Sequence, residues 1–160
     1  MMSPERPAAA ASGPGRDPSN RCRRARGATE MGDVNLPAVI VAAVSSFLLG
    51  GLWYSPVMFL KPWMKAAGIT EKQDGHPGKV FGVSFVFTLI AAWLMGYILG
   101  PAPEMAHALE RGLLFGAGFV ATSMGTNYLF SNRSMALWLI DGGYHLVQFL
   151  LFGVAFSLFG

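Results

Sequence analysis

Four long apolar stretches constrain this 160-residue chain more than any other feature. The hydrocarbon core of a bilayer is crossed by about 20 predominantly apolar residues in a helix, and such runs extend over 36–54, 80–99, 112–130 and 135–159. The first three hold no charged residue. Trp53, Tyr54 and Trp63 flank the first where an interfacial aromatic belt would sit, and Pro56, Pro101 and Pro103 fall just beyond span ends. The first run is too long for a signal-peptide core and lacks a small-residue cleavage site before Trp53. Only 13% of residues are charged and 52% are hydrophobic, against about a quarter charged in soluble domains. A body of this size could not hide so much apolar surface from water. The expected fold is all-α, a membrane-embedded four-helix bundle over 31–160 with a disordered tail over 1–30.

The fourth run contains Asp141. A central Asp opposes insertion by about 2.5 to 3.5 kcal/mol, whereas each Leu, Ile, Val or Phe favours it by about 0.3 to 0.6. Thirteen such residues between Leu137 and Phe159 together favour insertion by roughly 4 to 8 kcal/mol. Insertion is expected with a modest surplus.

The basic balance does not point to nucleic acid. Residues 1–30 hold six of the twelve Lys and Arg (Arg6, Arg16, Arg21, Arg23, Arg24, Arg26) and three of the nine acids (Glu5, Asp17, Glu30), so the tail supplies the whole net +3. Pro4, Pro7, Pro14 and Pro18 exclude a continuous helix there, which argues against an amphipathic transit peptide. Two readings stay open: a disordered extension, or translation that begins at Met31. The single Cys22 lies in the tail, so no disulfide framework and no thiolate metal site is expected in the body.

The loop over 55–79 carries Lys61, Lys65, Lys72 and Lys79, with the segment around Pro62, Trp63 and Met64 suited to lie along the interface. With Arg133, five basic residues fall on that side, against one on the other when counting begins at Met31. The positive-inside rule then puts both termini outside the cytoplasm of a multi-pass plasma-membrane protein, whereas the tail arginines would balance or invert this. Lipid is the expected surrounding, and no internal repeat is evident.

Helices in lipid associate through close packing of small residues. Ala42, Ser46 and Gly50 recur every fourth residue, as do Ala92, Gly96 and Gly100, and Gly112 pairs with Gly116. Seams within the bundle are the simpler use of these faces, and homo-oligomer contacts the other.

Asp141, His145 and Gln148 fall within a sector of about 60° on one helix face. Thr122, Ser123, Thr126 and Asn127 form a second polar patch, and only residues 131–134 separate the two spans, which makes them antiparallel neighbours. At about 1.5 Å rise per residue the two patches reach similar depth and can face each other. Three readings follow: a hydrated cavity in which Asp141 and His145 hold a proton or cation; a structural clamp in which Asp141 accepts from His145, Ser123 or Asn127, with Arg133 reaching in; or an Asp141 at the interface, the span beginning at Gly142. One carboxylate and one imidazole are too few for zinc, no nucleophile with a positioned base is recognisable, and no cofactor is expected. His76 and His107 read as solvated loop residues, and the sequon Asn132-Arg133-Ser134 lies against the membrane on the side expected to be cytoplasmic.

The run Gly51-Leu52-Trp53-Tyr54-Ser55-Pro56-Val57-Met58-Phe59, then Lys61, Trp63-Met64-Lys65 and Gly68, with Asn127-Tyr128-Leu129-Phe130 and Leu139-Ile140-Asp141-Gly142-Gly143-Tyr144-His145, resembles the bacterial membrane-protein family catalogued as domain of unknown function 1761. The resemblance covers about 34–160 and omits 1–30. It implies membrane location and a four-helix architecture, carries over no activity, and directs attention to Trp53, Tyr54, Pro56, Asp141, Tyr144 and His145. A structural or accessory membrane protein is the leading functional expectation. A proton- or small-solute-linked transporter using Asp141 and His145 is the alternative, and an enzyme a distant third.

Overall fold

A computed structural model describes residues 34–69 and 77–160. The readings of the tail, of the Met31 start, of Lys72 and of His76 lie outside the described residues. Within them the chain is helical without strands. Helix α1 spans Leu36–Trp53, α2 Leu60–Ala67, α3 Pro77–Leu99 and α5 Met135–Phe159. Helix α4 runs α-helical over Met105–Leu113, π-helical over Leu114–Ala121 and α-helical again over Thr122–Phe130, with right-handed helical backbone at both junctions. Three helical stretches are long and apolar enough to cross a membrane: Leu36–Trp53, Gly78–Leu99 and Met135–Phe159.

Local chemistry explains the boundaries. Asn35 caps α1, its side-chain oxygen accepting from the Ala38 N–H at 3.1 Å, with Pro37 in the first turn where no amide hydrogen is required. The same Asn35 donates to the Phe159 carbonyl at 2.8 Å, so the start of α1 and the end of α5 meet. Ser134 caps α5 through the Leu137 N–H. The segment around Pro62 forms the short helix α2, which ends on Gly68 at φ 72°, a left-handed conformation that favours glycine. His107, expected in a loop, instead lies in the first turns of α4, which begins seven residues before the apolar run. Apolar patterning marks where lipid-like surroundings begin, whereas a helix continues as long as its backbone bonds do.

Helix α5 touches every other helix. Its contact with α4 is set by missing side chains. A Cβ at Gly112 would lie 2.7 Å from the Phe149 carbonyl oxygen, one at Gly116 2.9 Å from the Leu146 Cα, and one at Gly153 2.7 Å from the Ala108 carbonyl oxygen. Only glycine permits backbones this close. On the other side of α5, Ala42 and Ser46 of α1 and Ala92 of α3 are fully buried, and Gly96 packs under the Phe156 ring. Ala42, Ser46, Gly50, Ala92, Gly96, Gly112 and Gly116 therefore pack within the chain, whereas a Cβ at Gly100 would meet nothing within 4 Å. The tightest core gathers Ala38, Ala42, Ala92, Met95, Phe152 and Phe156 in the half of the bundle nearest Asn35 and Phe159. Large apolar side chains such as Leu48, Leu52 and Leu139 point outward.

Candidate functional site

The opposite half of the bundle is organised around Asp141. It lies in the second turn of α5 and is only 8% exposed. One carboxylate oxygen, Oδ1, accepts from the Tyr54 hydroxyl at 2.8 Å and from the Trp63 indole Nε1–H at 2.9 Å. The other, Oδ2, accepts from the Tyr128 hydroxyl at 2.8 Å. These donors come from the end of α1, from α2 and from the last turns of α4. An ionised carboxylate is an acceptor at both oxygens, and each neighbour here supplies a hydrogen.

The chain must double back sharply for this. After Tyr54, a turn with Pro56 at its second position closes through the Met58 N–H to the Ser55 carbonyl at 3.1 Å, and the Phe59 N–H bonds the Trp53 carbonyl at 3.1 Å. That reversal lays α2 across the end of α5 and aims Trp63 at Asp141. Pro56 itself is exposed and acts through backbone shape. Trp53 donates to the Ile140 carbonyl at 3.1 Å, and Arg133 donates to the Ala67 carbonyl at 3.3 Å, tying the tight loop to α2. The aromatic residues expected as an interfacial belt are thus turned inward.

Asp141 and His145 are not hydrogen-bonded partners. His145 Nδ1 and Gln148 Oε1 lie 2.8 Å apart on the same helix, and both line a separate cavity of about 650 Å³. Its walls come from α1, α3 and α5, with Val120 the contribution from α4. Tyr54 and Tyr144, whose rings lie 5.5 Å apart, stand at its boundary with the Asp141 cluster. Tyr144 donates a long hydrogen bond of 3.5 Å to the Ser46 carbonyl.

The expected meeting of Ser123, Thr126 and Asn127 with the α5 stripe does not occur. All three are exposed, and none bonds to Asp141. Thr126 donates instead to the Thr122 carbonyl at 3.2 Å, and Thr122 to the Gly118 carbonyl at 2.5 Å. The physical reason is the π-helical segment. Bonds from i to i+5 rotate every later residue away from its position on a regular helix, so Tyr128 faces α5 where Ser123 and Asn127 were expected. Where this segment ends, the Trp138 indole donates to the Ala121 carbonyl at 2.7 Å, and Gly125 leaves room for that ring. The position of Tyr128 beside Asn127, within a short antiparallel connection to Asp141, was the available signal for it. Ser84 and Thr88 of the cavity wall were signalled by their one-turn spacing in the second apolar run.

A family model described as "Protein of unknown function (DUF1761)" matches residues 37–157, a span that takes in α1 through nearly all of α5. The chain belongs to the DUF1761 family. No curated protein and no solved structure gives a match. The DUF1761 match includes the turn after Tyr54, the three donors and Asp141, and also His145 and Gln148. Among the described residues of this DUF1761 chain, no group of three or more His, Cys, Asp or Glu is arranged to hold a metal ion.

Proposed function

We propose that this chain is a four-span structural or accessory protein of the cell membrane in which Asp141 is an architectural clamp. The observation that supports it is the saturation of the Asp141 carboxylate by three uncharged donors from three other segments. A hydrogen bond to a charged group contributes about 1.5 to 3 kcal/mol, so the cluster holds α1, α2 and α4 to α5 where the apolar core is thinnest. In this reading α4 crosses the bilayer as the fourth span, since 112–130 carries no charge. The end bearing Lys61, Lys65, Lys79 and Arg133 faces the cytoplasm, and the end where Asn35 meets Phe159 faces away.

The Asp141→Asn variant tests the clamp. An amide removes the negative charge that strengthens all three bonds and keeps only one acceptor oxygen, so the melting temperature in detergent should fall. A variant with wild-type stability overturns the clamp. The second reading, proton- or small-solute-linked transport, draws support from the cavity at His145, although Asp141 is not among the lining residues. Flux in proteoliposomes that disappears in Asp141→Asn while stability is retained would favour it over the clamp.

A further inference from the structure

The cavity beside His145 and Gln148 shares Tyr54 with the Asp141 cluster, but Asp141 itself does not line it. Its volume of about 650 Å³ falls within the roughly 300–1,000 Å³ typical of small-molecule sites. Phe47, Phe81, Phe87 and Phe149 supply apolar walls, and Gly50 and Gly51 leave one side bare of side chains. Among the described residues that line it there is no Asp, Glu, Lys or Arg. A charged ligand would lose its hydration there without a compensating partner.

Its polar groups make a specific offer. Gln148 is only 4% exposed, yet its amide nitrogen has no hydrogen-bond partner among the described residues. With the amide oxygen facing the ring, His145 Nδ1 carries the shared hydrogen, which leaves Nε2 of the neutral ring as an acceptor and the Gln148 amide as a donor. Turning the amide over exchanges the two roles and leaves the same inventory, one donor and one acceptor. Ser84 and Thr88 line the cavity opposite, with Thr88 already donating to the Ser84 carbonyl at 2.9 Å. A hydroxyl supplies both complementary functions from one atom. A phosphate or carboxylate supplies acceptors alone, and a hydrocarbon supplies neither.

We propose that this cavity binds an uncharged hydrophobic molecule carrying a hydroxyl, with the hydroxyl held between His145 and Gln148 and the apolar body against the phenylalanine walls. The cavity is half open, and access from the lipid phase rests on the membrane reading given above. The site itself does not.

Titration of the purified chain in lipid nanodiscs with 4-octylphenol, its methyl ether and octanoate, against empty nanodiscs as blank, tests this. The phenol should bind saturably and at least about 10-fold more tightly than the ether, the weight of one well-made hydrogen bond, and more tightly than octanoate. His145→Leu and Gln148→Leu should each bring the phenol close to the ether. Gly51→Phe adds a bulky ring at a lining position where a Cβ meets nothing within 4 Å, and it should weaken binding markedly with little change in melting temperature. Equal binding of phenol and ether, tighter binding of octanoate, absence of saturable binding, or wild-type affinity in Gly51→Phe overturns the proposal. A chain that does not enter nanodiscs breaks the membrane reading, and the same titration in detergent then still decides the binding.

Discussion

Asp141 and His145 stand one turn apart on the same helix, and their surroundings are opposites. Asp141 receives three hydrogen bonds from three different segments. Among the described residues the His145 side chain has a single hydrogen-bond partner, Gln148 on its own helix, and it borders open space. Placement of polar groups in an apolar helix therefore does not determine their use. In the proposed clamp Asp141 is taken up by its three donors, because leaving a buried carboxylate unpaired is expensive. His145, which can be neutral, tolerates an incomplete set of partners and keeps capacity for another molecule.

The contrast can be broken most directly at Asp141. Asp141→Leu leaves three inward donors without an acceptor, and at about 1 to 3 kcal/mol for each unsatisfied group the loss should reach at least about 3 kcal/mol. Thermal unfolding in detergent reads this, and a loss below about 1 kcal/mol would show that the cluster stabilises little. Gly116→Ala probes the back of the same α5 turn, where a Cβ would lie 2.9 Å from the Leu146 Cα and 3.2 Å from the His145 carbonyl oxygen. Overpacking of this kind costs roughly 1 to 3 kcal/mol, so the melting temperature should fall by a smaller amount. A melting temperature equal to wild type would mean that α4 and α5 can separate freely.

His145→Leu sharpens the comparison itself. It removes one bond within a helix and should destabilise by about 1 kcal/mol, well under the effect at Asp141. If the two leucine variants melt together, the distinction between consumed and available polar residues fails. The smallest effect is expected for Gly51→Ala, which fills no occupied space and removes a flexible residue from a helix. Stability should rise by roughly 0.5 to 1 kcal/mol, and a lower melting temperature would show that the glycine is needed for close approach.

The candidate site was only partly legible. Asp141, His145 and Gln148 were found because helical periodicity places them on one face, and Tyr54 because its motif stood out. The sequence shows that Trp53, Tyr54 and Trp63 lie near a span end, as an interfacial belt would, but not which way the chain turns after them, and so not that their polar atoms bond Ile140 and Asp141. Ser123, Thr126 and Asn127 were misplaced for a different reason. Their depth relative to Asp141 follows from residue counting, but their angle depends on a π-helical segment that no spacing rule reveals.

By itself, the sequence determined the helical class, the apolar runs on which the long helices are built and the small residues of the α4–α5 seam, because these follow from composition and from the fixed period and rise of a helix, although α4 begins seven residues before its run. It also determined that the net positive charge lies in residues 1–30 and that the rest of the chain is neutral. The tertiary structure alone decided which groups satisfy Asp141 and that His145 and Gln148 border a cavity, because both depend on the rotation of one helix about its axis relative to another. A polar stripe records which residues share a face. Only packing decides what that face meets.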